Sequence, residues 1–485
     1  MTKELRRLSM LVLAMFLALF ASTSVIQVVQ ADALSQNPLN RRALYDSFEV
    51  QRGSIIASGA AIATSVPSDD LYAWQRVYTD PDMWAPVTGW INPVLGSATG
   101  IERAMNQELS GTADSQFLSR IEQIISGQRP RGSNVVLSLD AAVQRAAYDA
   151  LGDLQGAVVA IEPSTGRILA MVSSPSYDTN LLASHDTAAV ESAYAALEDD
   201  PLQPLDNRAI AGRMNPPGST FKLVVASAAL STGQWSAQST LPNPATYTLP
   251  QSSSIVRNAG GGTCGEGETV TIADALRFSC NIPFAQLAVE LGDDVIRDEA
   301  EKYGFGTAFS LPLQATASVY PPALDDAATA LSGFGQGDVR ATPLQMAMVS
   351  AGIANQGVVM NPRMVDAIIA ADFTEQQRFD DTEYGRALSQ ELAASMTTMM
   401  VADVQSGVAS GATIDGVDVA GKTGTAENGV DDPYTLWFTG FAPADDPRVA
   451  VAVVVENGGG LGQSGSSNRI AAPIAAKVME AVLSR

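Results

Sequence analysis

Pro216-Pro217-Gly218-Ser219-Thr220-Phe221-Lys222 runs directly into the apolar stretch Leu223 to Leu230. Two prolines and a glycine stop regular structure, and the serine then opens a helix. Residues three apart share a helix face, so the Ser219 hydroxyl and the Lys222 amine become neighbours. A serine hydroxyl is a weak nucleophile without an adjacent base. A lysine can be that base when burial and a nearby cation lower its proton affinity. The start of a helix also favours negative charge growing at Ser219. Alone, the pair equally describes an ordinary helix start, because chance supplies about 0.4 Ser-x-x-Lys matches in a chain of this composition.

The rest of the chain narrows the choice of base. Its 485 residues include one histidine, His185, in the polar stretch Ser184-His185-Asp186-Thr187, which reads as an exposed loop. A Ser-His-Asp triad would have to use it, and a zinc site with several histidines is excluded. Lysine is scarce as well, with Lys3, Lys222, Lys302, Lys422 and Lys477 making the full set. The formal net charge of −23 leaves none of the basic footprint that nucleic acid requires. It also argues against broad adhesion to anionic lipid. Neither a Cys-x-x-Cys pair nor a Cys/His cluster suggests a metal, and no cofactor is expected.

Lys3, Arg6 and Arg7 precede an apolar run from Leu8 to Val29. Such a run spans roughly 30 Å, the thickness of a bilayer core. The positive flank stays cytoplasmic, which places the bulk of the chain outside the cell membrane on a single-pass anchor. The competing reading is a cleaved signal peptide, since Ala31-Asp32-Ala33 is an A-x-A-like site. Cys264 and Cys280, the only cysteines, stand 16 positions apart. In an exported chain they can form a disulfide that adds roughly 3 kcal/mol by loop closure. The alternative is two buried thiols.

The length calls for two or three domains. Residues 1–33 read as cytoplasmic tip and anchor, 34–134 as a smaller, mainly β N-terminal domain, and 135–485 as the main domain. A polar linker fills 34–50, and the basic connector Gln128-Arg129-Pro130-Arg131-Gly132 marks the second boundary. Beyond it, Asn134 to Asp140 reads as a strand and Ala141 to Leu151 as a helix. Gly156 to Ile161 and Ile168 to Ser173 form a hairpin turned by Pro163-Ser164-Thr165-Gly166. About 175 to 410 reads as largely helical. Strands return at Val417 to Lys422, Tyr434 to Phe441 and Val449 to Glu456, and a helix runs from about Ile470 to Leu483. Two strands before the helical insert and three after it predict an α+β fold with one antiparallel five-stranded sheet flanked by helices.

Two more motifs follow the first in order, Ser279-Cys280-Asn281 and Lys422-Thr423-Gly424-Thr425. A Lys-Thr-Gly match has a chance expectation of only about 0.03. Gly424 has no side chain, so a substrate backbone can lie close against the strand. Lys422 brings positive charge that can hold a carboxylate and depress Lys222. Thr423 and Thr425 offer hydroxyls to that carboxylate. Ser279 supplies a hydroxyl for proton relay, and Asn281 an amide for a substrate carbonyl.

Ser-x-x-Lys, Ser-x-Asn and Lys-Thr-Gly in this order resemble the set shared by penicillin-binding proteins and serine β-lactamases. Pro216 to Lys222 is similar to the penicillin-binding-protein version of the nucleophile region. Gly335-Gln336-Gly337 with Thr342-Pro343-Leu344-Gln345, Trp437-Phe438-Thr439-Gly440-Phe441, and the hairpin Gly156 to Pro175 resemble further segments of that family. The likeness covers roughly 135 to 485. Upstream, Arg52-Gly53-Ser54-Ile55 and Gly100-Ile101-Glu102 resemble pieces of the pedestal of class B, monofunctional members, above all the actinobacterial A type. Ala57-Ser58-Gly59 departs from that pattern, where an acidic-basic pair is common. No segment resembles a glycosyltransferase domain.

The resemblance implies a serine D,D-transpeptidase that cross-links peptidoglycan stem peptides, taking a D-alanyl-D-alanine donor and an amine acceptor. It implies Ser219 as nucleophile, Lys222 as its base and Ser279 as relay to the departing D-alanine. Backbone N–H groups of Ser219 and Thr425 are expected as the oxyanion hole. Asn281, Lys422, Thr423, Gly424 and Thr425 are expected to bind substrate, and β-lactams to acylate Ser219. A membrane glycan polymerase is the implied partner. The alternatives are a D,D-carboxypeptidase or a β-lactamase on the same fold, or a role mainly as a scaffold of a wall-synthesis complex.

Overall fold

Valine and alanine fill Val449–Val455, a strand buried along its whole length. Branched side chains suit such an enclosed, pleated position. The strand pairs with Thr435–Ala442 on one side and Gly156–Ile161 on the other. Ala420–Ala426 and Ile168–Ser174 complete the sheet, whose order is Ala420–Ala426, Thr435–Ala442, Val449–Val455, Gly156–Ile161, Ile168–Ser174. Every pairing in it is antiparallel. The expected sheet is therefore present, closed by segments far apart in the chain. The computed structural model describes residues 2–30, 34, 50–113, 116 and 131–485. The A-x-A-like site at 31–33, the linker interior at 35–49 and connector residues 128–130 lie outside the described residues.

Successive strand residues point to opposite faces, so the sheet serves two cores. Ala450, Ala452 and Val454 pack in one with Leu344, Val349 and Met400. Val449, Val451 and Val453 pack in the other with Ile474, Val478, Val143 and Ala147. The first core holds the helix Pro343–Ala354, buried at every position, as a helix apolar all round must be. Thr342 caps it by accepting the Gln345 N–H, and Pro343 opens its first turn, where a missing N–H costs nothing. Ala471–Leu483 and Ala141–Leu151 cover the other face. The strand expected to end at Lys422 continues to Ala426. Lys422-Thr423-Gly424-Thr425 therefore lies inside an edge strand, paired with Thr439, Phe438, Trp437 and Leu436.

A second, six-stranded sheet has the order Glu375–Arg378, Val365–Ile369, Asn134–Leu137, Ile55–Ala57, Ala60–Pro67, Trp74–Tyr78. Ile55–Ala57 runs parallel to Asn134–Leu137. Half of this sheet thus comes from beyond residue 133. Beneath it the two upstream fragments meet in a buried ion cluster. Arg52 Nε and Arg76 Nε each lie 2.6 Å from a different oxygen of Glu102, and all three side chains are at most 3% exposed. Burial disfavours the charged carboxylate, but Arg76 and Arg52 outweigh it and hold Glu102 below its usual range.

His185 is not the exposed loop residue expected. Its side chain is 8% exposed, with Nδ1 2.6 Å from Asp70 Oδ2 and its ring 4.8 Å from that of Tyr72. At the amino end, Lys3–Val29 is the one helix among the described residues long and apolar enough, by length and composition, to cross a membrane. Its 27 residues span about 40 Å.

Candidate active site

Gly218 enters the turn that carries Ser219 at φ +54°, a conformation that suits glycine. Its N–H donates to the Gly335 carbonyl at 3.0 Å. A Cβ on Gly335 would come within 2.0 Å of the Gly218 carbonyl oxygen, and one on Gly218 within 2.7 Å of the Thr425 carbonyl oxygen, so neither position has room for a side chain. Ser219 lies in the short 3₁₀ turn Gly218–Phe221, which continues as the helix Lys222–Ser231. Phe221 anchors that junction between Phe305 and Tyr320, with ring centroids at 5.5 and 5.8 Å. The turn is also tied to the sheet, because the Trp437 indole N–H donates to the Pro216 carbonyl at 2.9 Å.

Lys222 is wholly buried. Its Nζ lies 2.9 Å from Ser219 Oγ, 2.7 Å from the Ser279 carbonyl oxygen and 2.9 Å from Asn281 Oδ1. Ser279 Oγ is further away, at 3.4 Å. The Asn281 amide has a fixed orientation, since its Nδ2 donates to the Arg257 carbonyl at 3.1 Å. Both the Ser279 carbonyl and Asn281 Oδ1 can only accept. A neutral Lys222 amine therefore spends its two N–H groups on them and turns its lone pair to the Ser219 hydroxyl. Burial, and then the Lys422 ammonium, drive the proton affinity of Lys222 well below normal, against an opposing pull from Asp403. The Phe284 ring, 5.7 Å from Nζ, adds to the apolar floor.

Ser279 and Asn281 are held from two sides. Cys280, between them, is joined to Cys264, with Cα atoms 5.7 Å apart. Asn258 Oδ1 accepts the N–H groups of Asn281 and Ile282 at 2.9 and 3.0 Å, which satisfies the start of the helix Asn281–Leu291.

The lysine strand corrects two expectations. The space that the missing Gly424 side chain leaves is filled by the protein itself and not by a substrate backbone. A Cβ there would meet the Pro217 carbonyl oxygen at 2.8 Å and the Thr220 N at 3.0 Å. The protein's own nucleophile turn fills that gap. Lys422 has no exposed surface and is paired with Asp403, Nζ to Oδ2 3.1 Å. Direct contact with a substrate carboxylate is thus closed to it here, and its charge acts from beneath the strand. Thr423, Gly424 and Thr425 do line the cleft, of about 1390 Å³, that opens over Ser219, Ser279 and Asn281. His185 is not among its lining residues.

Three contributors escaped the sequence reading. Asp403 is one; its signal is a lone carboxylate on the helix face that carries Met396, Met399 and Met400. Ser467 is another, with its Oγ donating to the Gly424 carbonyl and lying 2.9 Å from Thr425 Oγ1. No spacing marks it within a glycine- and serine-rich loop. The contact made by Gln336 is the third, since its place in the Gly335-Gln336-Gly337 motif does not reveal a partner. Its amide oxygen accepts the Glu427 N–H at 2.9 Å and its nitrogen donates to the Glu427 carbonyl at 3.2 Å, across the cleft floor.

A serine whose hydroxyl faces a buried, deprotonatable lysine, set against the edge of an antiparallel sheet with helices on both faces, defines the class of penicillin-recognising serine proteins. Residues 156–480 match the penicillin binding protein transpeptidase domain, and residues 52–135 the penicillin binding protein A dimerisation domain. The chain belongs to the penicillin-binding protein transpeptidase family. It is 43% identical to peptidoglycan D,D-transpeptidase PbpA of Mycolicibacterium smegmatis, over 100% of this chain and 99% of the relative. The Mycobacterium tuberculosis protein of that name is 41% identical over the same shares. The ceftriaxone acyl-enzyme complex of penicillin-binding protein A from M. tuberculosis superposes with a TM-score of 0.87 at 40% identity, covering 91% of this chain and 100% of that one.

Proposed function

We propose that this chain is a serine D,D-transpeptidase that cross-links peptidoglycan stem peptides through an acyl-enzyme on Ser219. One observation carries the reading. The buried Lys222 amine sits 2.9 Å from Ser219 Oγ with two acceptor-only oxygens on its other sides. The names of the relatives and the β-lactam acyl-enzymes of the M. tuberculosis protein add to it.

In this reading Lys222 takes the Ser219 proton as Oγ attacks the carbonyl between two D-alanines. The N–H groups of Ser219 and Thr425 stabilise the oxyanion, the contribution that is usually largest in such chemistry. Ser279 hands a proton to the departing D-alanine nitrogen as the C–N bond breaks. Asn281 holds Lys222 and borders the acyl chain. Thr423 and Thr425 take the terminal carboxylate, drawn by the Lys422 charge behind them, while Gly424 lets the strand lie against the nucleophile turn. An amine from a second stem peptide then attacks the ester and frees Ser219. A β-lactam opens without releasing a leaving group, so its adduct persists.

The arrangement proposed is an anchor at 1–33, a pedestal at 34–134 and the transpeptidase domain at 135–485. The apolar helix Lys3–Val29 supports a single-pass anchor with the bulk of the chain extracytoplasmic. A membrane glycan polymerase is the partner such a cross-linker works beside.

The test is intact mass after penicillin treatment, with the modified peptide mapped. A stable adduct on Ser219, absent in Ser219→Ala, is expected; no adduct would refute the reading. Cross-linked product on adding an acceptor amine separates transfer from hydrolysis by a carboxypeptidase. Rapid nitrocefin turnover would indicate a β-lactamase instead.

A further inference from the structure

The helix Gln390–Ser406 points Met396, Met399 and Met400 into the core and, one turn on, Asp403. A carboxylate in such a place is costly to ionise unless it is paired. Its partner is Lys422, with Oδ2 3.1 Å from Nζ and neither side chain exposed. Asp403 Oδ1 accepts the Val408 N–H at 2.8 Å. That same N–H lies 3.3 Å from the carbonyl of Arg277, the last residue of the helix that leads into Ser279. Asp403 thus touches the lysine strand and braces the segment that delivers Ser279, yet it is not among the residues lining the cleft.

We propose that Asp403 is a positioning residue, which holds Lys422 by its ammonium and sets how much of that positive charge reaches the Lys222 amine. The inference rests on the reading of Ser219 and Lys222 given above.

The physical case is a balance. Lys222 must lose its proton to act as a base, and burial and the Lys422 ammonium promote that loss. A lysine driven too far becomes too weak a base to take a proton from a hydroxyl. A carboxylate behind Lys422 turns a lone positive charge into an ion pair, and so restores part of the proton affinity of Lys222. Other charges near Asp403 are already engaged. On the helix Ile272–Arg277, Arg277 and Asp274 pair with each other at 2.8 Å. Pro343–Ala354 carries no charged residue. On the helix of Asp403 itself, Gln405 donates to Asp418 at 2.8 Å. Lys422, and Lys222 beyond it, are the groups left to respond.

Asp403→Asn isolates the charge, because asparagine keeps the size and an oxygen for the Val408 N–H. The rate of acylation by penicillin is measured against pH on full-length protein in detergent. For the unmodified protein the rate rises with pH as Lys222 loses its proton. Asp403→Asn is expected to move that acid limb down by about half a unit or more, with a lower plateau. Restoration by Asp403→Glu of a limb close to the original is expected. An unmoved limb with the rate lowered equally at every pH would mean a bracing role only and overturn the proposal.

Since Asp403→Asn leaves Lys422 buried without its counter-ion, a second comparison covers the case in which it does not fold. Lys422→Met is set beside Lys422→Met/Asp403→Asn, and melting temperatures are read. The double variant buries no charge of this pair and is expected to melt at or above the single one. A lower melting temperature would show that Asp403 matters apart from Lys422, and would also overturn the proposal. Absence of acylation in the unmodified protein would instead sink the reading of Ser219.

Discussion

Asn281 accepts a hydrogen bond from Lys222 across 59 positions of chain, Nζ to Oδ1 2.9 Å. The contact fixes one amine N–H and so helps aim the lone pair at Ser219. Asn281→Asp would replace that neutral acceptor with a carboxylate at the same distance. An opposite charge so close raises the pKa of a lysine by about 1–3 units. In the proposed mechanism Lys222 acts as a neutral base, so the acid limb of the acylation profile should move to higher pH. At neutral pH the acylation rate should fall about tenfold or more. A pH series of fluorescent-penicillin labelling measures both, and a limb that stays in place would count against Lys222 as the base.

Glu102 is the one carboxylate between two buried guanidiniums in the ion cluster. Glu102→Gln keeps the shape but leaves Arg52 and Arg76 without their counter-ion, a loss of about 3–5 kcal/mol. Denaturant unfolding monitored by tryptophan fluorescence should show it, since Trp84 and Trp90 are buried in the core that also holds Ile101 and Tyr78. The pH dependence has a definite sign. Glu102 is held below its usual range, so its contribution is complete above the ordinary carboxylate pKa of about 4.3. It is lost as pH falls through the lowered value. Glu102→Gln should abolish that acid-side loss.

How much of this was legible in the sequence depends on the range over which each feature is encoded. The five-stranded sheet was readable because Val449–Val455 and the hairpin Gly156–Ile161 with Ile168–Ser174 carry their patterns locally. Ser219 and Lys222 were readable because three residues along one helical turn fix a contact, whether that turn is α or, as here, 3₁₀. The six-stranded sheet was not, since Asn134–Leu137 finds Val365–Ile369 only after the chain has folded back. Asp403 meets Lys422 from another element, and no short spacing announces such a pair. His185 was misread for the same reason. Its polar neighbours in sequence suggest exposure, but Asp70 and Tyr72 arrive from more than a hundred residues upstream.

Cys264 and Cys280 close a loop whose far end lies between Ser279 and Asn281. Replacing both with serine should lower stability by about 3 kcal/mol through the loss of loop closure. It should also slow acylation, because Ser279 and Asn281, which both contact Lys222, flank Cys280. Melting temperature and acylation rate, measured on the oxidised protein and the double serine variant, check the two effects separately. Unchanged acylation with lowered stability would confine the link to folding.

Gly424 gives the sharpest test of how strand and nucleophile turn fit together. Alanine at this position would place a methyl group 2.8 Å from the Pro217 carbonyl oxygen and 3.0 Å from the Thr220 N. Both partners are backbone, so neither can swing aside as a flexible side chain would. The turn must move off the strand, and Ser219 moves with it. Relieving contacts of 2.8 and 3.0 Å takes a shift of roughly half an ångström, and a misplacement of about 1 Å in an active site costs on the order of a hundredfold in rate. Gly424→Ala should therefore lose about tenfold in acylation while remaining folded, since the strand keeps its pairing with Thr435–Ala442. Had Gly424 served mainly to admit a substrate backbone, a small β-lactam would still acylate at close to the original rate while a stem-peptide donor would not. The structure predicts that both reactions fall together, and labelling by penicillin alongside turnover of a D-alanyl-D-alanine peptide distinguishes the two outcomes.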